Sequence, residues 1–276
     1  MKRKNLIIGG GGLVLVFLLV LCGLIKKSWN GKDDIKFGII ADNGIEIIVV
    51  SPKRRMINYL TIGENVEVWI PKGLSWYKAN RIKKILRSEK KENLGEEIFL
   101  YNFGYGPDKI LYLEKISETD SERFWFDNLG FWGWMRLVGQ RDEMVTKKEK
   151  IESSLENAGG ILDEVMLRDF ADNRVLASEN KLNVINASDI SGLANFVGEK
   201  LGWMGITINS LENGEKYDGV CELKTNEETG IVLELLKRKF WECGFSKSSE
   251  LSEGEIELVL GEKYASSIDY DSFVKH

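Results

Sequence analysis

The residues whose types and spacing best suit a binding site lie within Lys181 to Ala194, KLNVINASDISGLA. The stretch reads as a buried strand through Leu182, Val184 and Ile185, then a polar turn, then the start of a helix. The first N–H groups of a helix have no partner within it and attract anions. Asn186, Ser188, Asp189, Ser191 and Gly192 are therefore the candidate ligand-binding residues. The same residue types also make turns and cap helices: Asp189 or Ser191 can accept a backbone N–H bond, and Gly192 can be small so that the helix approaches the sheet. Both readings stand at this point.

Other chemistry is scarce. The one histidine is His276, the last residue. Ser-His-Asp and Cys-His catalysis, and His-based metal sites, thus have no histidine in the folded body. Of the three cysteines, Cys22 sits in an apolar run, which leaves Cys221 and Cys243 as the pair the body can form. One pair is no disulfide framework and no C-x-x-C spacing exists, so the pattern favours free thiols. Asp163, Glu164, Asp169 and Asp172 do not match a calcium loop and read as a solvated face. No catalytic, metal or cofactor-binding residue is assigned, and no cofactor is expected.

The elements that position these residues follow from composition and pattern. The chain has 276 residues, 29% charged and 43% hydrophobic, with a formal charge of −5. Setting aside Lys2, Arg3, Lys4, Lys26 and Lys27 leaves a body of roughly −10, which repels phosphate backbones and argues against nucleic-acid binding. Leu6 to Ile25 is apolar and charge-free, and about 20 such residues span a bilayer core. Its basic flank predicts a single-pass anchor in the cytoplasmic membrane, N-terminus inside and body extracytoplasmic. A cleaved signal peptide would have a shorter apolar region and a small-residue cleavage site.

After a polar linker, Phe37–Ile40 and Ile45–Val50 read as strands joined by an Asn43-Gly44 hairpin signal. Met56–Ile62, Val66–Ile70 and Ile110–Ile116 also read as strands. Trp76–Leu86 has helical spacing, with Lys78, Arg81, Lys83 and Lys84 outside. Phe124 to Leu137, FWFDNLGFWGWMRL, reads as core or as a patch at lipid headgroups. The charged run 145–157 reads as an exposed linker. Beyond the organising turn, Ile190, Leu193, Ala194, Val197, Leu201 and Met204 form one apolar helix face, ended at Gly205. Ile206–Leu211 alternates as a strand with Ile206, Ile208 and Ser210 on one face. Val220–Lys224 is another strand, Thr225 and Glu228 suggest a capping box for a helix through Ile231, Val232, Leu235, Leu236 and Phe240, and Ile256–Leu260 is the last strand.

The Asn186, Ser188, Gly192, Leu193, Ala194 pattern resembles the C-terminal domain of the LytR–CpsA–Psr cell-envelope family, whose signature is V-x-V-L-N-x-[ST]-x-x-x-G-L-A. The resemblance covers Leu182 to about Gly261, including Val259-Leu260-Gly261. The preceding body is similar, over a shortened length, to the family's catalytic module. There a Ser-Ile-Pro-Arg-Asp run supplies an Arg and an Asp to a site for a polyprenyl pyrophosphate and its magnesium. The matching run here is Thr61-Ile62-Gly63-Glu64-Asn65, so a carboxylate stands where a guanidinium would face phosphate.

The expected fold class is α/β (α+β): an N-terminal transmembrane helix, a mixed α/β domain, and a ferredoxin-like βαββαβ two-layer domain. The expected division is 1–27 tail and anchor, 28–146 degenerate LytR–CpsA–Psr-like domain, 147–180 linker, 181–265 C-terminal domain and 266–276 tail, with Lys181 to Gly261 folding alone. The resemblance implies a membrane-anchored cell-envelope protein. The changed residues favour a non-catalytic binding or scaffolding factor in cell-wall organisation over an enzyme. Its partners would be the membrane, and a cell-wall glycan or envelope protein, with no nucleic acid. The alternative is a phosphotransferase ligating undecaprenyl-linked glycopolymer to the wall. Transcription regulation follows only from the family's historical name.

Overall fold

Near-continuous apolar strands form the centre of the first half of the chain. The computed structural model describes residues 28–89, 93–152, 154–155, 159–226 and 228–270. Its elements begin with β1 (Ile35–Ala41), β2 (Gly44–Ser51) and β3 (Met56–Gly63), then a hairpin of β4 (Glu67–Ile70) and β5 (Ser75–Lys78). Helices α1 (Ala79–Glu89) and α2 (Leu94–Phe103), strand β6 (Lys109–Leu113), helix α3 (Glu122–Arg141) and strand β7 (Val145–Ile151) complete this half. The sheet order is β6-β1-β2-β3-β7. The first three strands form an antiparallel meander, and β6 and β7 join its edges in parallel.

Every residue of β1 and β2 is buried, as expected of strands covered on both faces. On one face Ile45, Ile47, Val49, Leu60 and Ile62 pack with Ile82, Ile98, Phe99 and Phe103 from α1 and α2. On the other, Phe37, Ile39, Ile48 and Tyr59 pack with Phe124, Trp125, Leu129 and Leu137 of α3. Asn102 ties the hairpin to α2: it accepts from Trp69 N at 2.9 Å and donates to Trp69 O at 2.8 Å.

A connecting segment follows, with α4 (Gly159–Val165), a π-helical turn Met166–Phe170 and the short α5 (Asn173–Leu176). The second half holds β8 (Lys181–Ala187), α6 (Leu193–Trp203), β9 (Thr207–Asn213), β10 (Cys221–Thr225), α7 (Ile231–Lys239), β11 (Gly244–Lys247), β12 (Glu255–Gly261) and α8 (Glu262–Ile268). Leu182, Val184, Leu223, Ile256 and Leu258 face the helices and meet Leu193, Val197, Leu201, Val232 and Leu236. Trp69 and Tyr101 of the first half enter this core. Tyr101 stacks on Phe196 and its hydroxyl shares a 2.9 Å hydrogen bond with that of Tyr264. A disulfide joins Cys221 to Cys243, against the free-thiol reading.

The fold expectation needs two corrections. First, the second sheet is not ferredoxin-like. It has five strands in the order β11-β10-β12-β8-β9. A split βαβ unit keeps another strand between its parallel pair, whereas β8 and β9 pair directly in parallel across α6, as do β10 and β11 across α7. The molecule is a mixed α/β structure with eight α-helices and three sheets among the described residues. Second, no helix of the described residues is long and apolar enough to cross a membrane. The 20-residue α3 carries Glu122, Arg123, Asp127, Arg136 and Arg141. The predicted transmembrane helix over Leu6–Ile25 lies outside the described residues, and the single-pass localisation drawn from it is corrected with it.

Some element boundaries also differ. Trp76 to Lys78 belongs to β5, so the helix begins at Ala79. The run read as a linker from 145 supplies strand β7. The capping box is absent, because Thr225 sits in β10 and donates to Glu255 O at 3.0 Å, and α7 starts beyond Gly230.

Candidate functional site

The turn after β8 is built by its own side chains. Asn186 is buried at the strand end, and its Oδ1 accepts from Ser188 N at 3.1 Å and Ser188 Oγ at 2.7 Å. Its Nδ2 donates to Ile190 O at 2.8 Å. Ser188 Oγ in turn accepts from Ile190 N at 3.2 Å. These two side chains close a compact polar turn in which the short amides and hydroxyls replace ladder bonds. The Asp189 carboxylate pairs with Lys216, and Asp189 N donates to Glu262 at 2.9 Å.

The cap differs from expectation. Gly192 is the N-cap residue of α6 and no side chain caps the helix. At φ 86° it adopts a conformation that glycine reaches without steric penalty. Gly192 and Ser191 border a concavity of about 240 Å³ with Asn186, Asn195, Glu212 and Asn213. The five sequence-nominated residues are therefore neighbours, but Asn186, Ser188 and Asp189 have their hydrogen-bonding capacity largely engaged within the protein. Ser191 and Gly192 border the open space.

The run that the resemblance aligns with a pyrophosphate site ends β3 and enters a turn. Glu64 and Asn65 are exposed there. The turn is held by Val66 N to Gly63 O at 3.0 Å and Asn80 N to Glu64 O at 3.2 Å. Arg81, at the start of α1, is exposed beside it. Lys83, expected outside, is buried, and its ammonium meets Asp42 at 2.8 Å and Leu113 O at 2.7 Å. Arg54 and Arg55 lie before the first residue of β3. The eight residues of that strand put roughly 25 Å between its ends. Arg54 donates to Arg168 O at 3.0 Å and Ala171 O at 3.3 Å, and Arg55 pairs with Glu143 at 3.6 Å. The arginines do not converge with Arg81.

Buried charges outside these two places were missed by sequence reasoning. Glu46, in the middle of β2, accepts from Thr61 Oγ1 at 3.0 Å and Thr119 Oγ1 at 2.8 Å. Burial pushes its carboxyl up to about 7 against the pull of those hydroxyls. Lys36 in β1 pairs with Asp172 at 3.5 Å. Burial lowers the Lys36 pKa, although Asp172, Asp108 and Asp34 oppose it. Burial raises Asp172, but Arg174 and Lys36 hold it well below the usual carboxylate range. Asp169 is buried as well and pairs with Arg168 at 2.6 Å and Lys147 at 3.2 Å. Asp169 and Asp172 are thus not a solvated face. They clamp the connecting segment to the first sheet. A lone charge inside an apolar strand, as in IEIIVV or IKFGII, was the available signal.

Within the aromatic stretch, Phe124, Trp125, Leu129 and Leu137 are core, as the core reading expects, while Phe126, Phe131 and Met135 are exposed.

No family model and no curated protein matches the chain. Among solved structures, a LytR-CPS2A-psr family protein YwtF (TagT) with bound octaprenyl pyrophosphate lipid aligns at 11% identity. The alignment covers 88% of this chain and 90% of that chain, with a TM-score of 0.26. A score that low carries no argument about this chain's function.

Proposed function

We propose that the chain is a non-catalytic binding or scaffolding factor in cell-wall organisation. The cell-wall part rests on the sequence resemblance of Leu182 to Gly261, with Asn186, Ser188, Gly192, Leu193 and Ala194 at the signature positions. The observation that favours binding over transfer is the disposition of charge around β3. Glu64 and Asn65 occupy the turn where the resemblance would place phosphate and metal ligands. A carboxylate there repels a pyrophosphate. Arg54 is committed to backbone carbonyls and Arg55 to Glu143, both at the far end of the strand. The concavity bordered by Ser191, Gly192, Asn195 and Glu212 offers a small polar cleft suited to hydroxyl-rich ligands. Sedimentation of the full chain with purified cell-wall polymer tests the reading. Retention that free polymer competes away supports it, and full recovery in the supernatant defeats it.

A further inference from the structure

Three leucines from three elements, Leu167 on the π-helical turn, Leu176 on α5 and Leu211 on β9, are 47%, 45% and 44% exposed. All three border one groove of about 540 Å³, whose floor includes Trp203, Ile206 and Ile208. Side chains of that size are rarely left in contact with water as a group unless something covers them.

The groove runs along β9, the edge of the second sheet, which pairs with β8 and with no other described strand. The β8–β9 pairing shifts between Leu182–Ile208 and Asn183–Ser210, so Asn209 is an extra residue. A bulge reverses the alternation beyond it. Ser210, expected beside Ile208, instead donates to Asn183 at 2.9 Å. Leu211 takes its place against α6, where a Cβ on Gly198 would come within 2.5 Å of Leu211 Cδ2. Ser210 to Asn213 then presents an unbulged edge beside an apolar trough.

The occupant must satisfy a strand edge, apolar walls and an acidic rim. Asp163 and Glu199 border the groove and Glu212 follows on β9. Lys200 lies over the Trp203 ring at 3.5 Å and its ammonium is bonded to Glu199 at 2.5 Å, so Asp163 and Glu212 carry the uncompensated acid of the rim. A lipid chain supplies no partners for the strand's N–H and C=O groups. A second copy would set these carboxylates against themselves, and like charges across a strand pair destabilise it. We propose that β9 and its groove bind an extended protein segment of alternating apolar and basic residues as an added strand. Main-chain bonds would give affinity and the apolar row would fill the trough. This goes beyond the wall-binding reading and does not depend on it.

The test selects a random decapeptide library on the full chain. The expected result is enrichment of alternating apolar and Lys/Arg sequences. Synthetic versions should lose at least tenfold in affinity against Leu211→Glu and about fivefold against Glu199→Lys, both at exposed positions. N-methylation at alternate peptide residues should abolish binding in one phase and spare it in the other. Wall-polymer retention should be unchanged in Glu199→Lys, whose side chain borders the groove and not the polar concavity. The proposal is overturned if no such pattern is enriched, if N-methylation is tolerated in both phases, or if both folded variants bind as wild type. It is equally overturned if Leu211→Glu instead abolishes self-association or binding to phosphatidylcholine vesicles.

Discussion

Glu46 makes stability depend on pH in a direction opposite to that of most carboxylates. It is 4% exposed, flanked by apolar strands, and held by Thr61 and Thr119. Burial raises it from its ordinary 4.5 to about 7, with Asp120 adding to the rise and Lys148 opposing it. A raised folded-state value means that the native protein holds the proton more tightly than the unfolded chain. The associated stability is therefore fully present below pH 4.5 and is lost as pH rises through about 7. The size of the shift corresponds to about 3 kcal/mol. Glu46→Gln keeps the shape and one acceptor oxygen but cannot ionise. The assay is urea unfolding of both proteins, followed by tryptophan fluorescence at intervals from pH 4 to 8. Relative to wild type, the variant should gain about 3 kcal/mol between the acidic and basic ends of that range, most of it below pH 7. Parallel profiles, or a gain toward acid, would refute the reasoning.

Three further outcomes are expected. Leu193 is fully buried in the C-terminal core while Leu235 is half-buried at its margin, so Leu193→Ala should cost about 2–5 kcal/mol in chemical denaturation and Leu235→Ala about half as much or less. Ser188→Ala removes the hydroxyl bonded to Asn186 and Ile190 and should lower stability by about 1 kcal/mol, with wall-polymer retention unchanged if Ser188 only builds the turn. Reducing Cys221–Cys243, which are 22 residues apart, should cost about 3 kcal/mol on a chain-entropy basis, seen as a lower melting temperature in reductant that Cys243→Ser reproduces without reductant.

What could be read from the sequence follows local physics. The Asn43-Gly44 signal sits between β1 and β2, and their unbroken apolar runs match strands buried on both faces. Leu193, Ala194, Val197 and Leu201 are buried along one side of α6 as their spacing implies. What was lost depends on partners distant in the chain. β7 reads VTKKEKI and looks like a linker, because an edge strand draws its order from the backbone ladder to β3 rather than from apolar side chains. The single extra residue at Asn209 leaves no compositional trace yet exchanges Ser210 for Leu211 on the helix side. Direct parallel pairing of β8 with β9 depends on the placement of β12 on the other side of β8, which no local pattern encodes. At the site, the residues of the turn were legible by type, but whether Asn186 and Ser188 face a ligand or each other is decided by the turn's own hydrogen bonds, which residue type does not encode.

The central claim is that the charge arrangement around β3 suits binding and not transfer. Its most direct test is turnover of a lipid-linked glycan by the full chain, with magnesium and purified wall as acceptor. The account predicts that the chain is retained on the wall while no glycan is transferred above the protein-free control. Transfer above that control, lost on Arg81→Ala in a variant that remains folded, would contradict it.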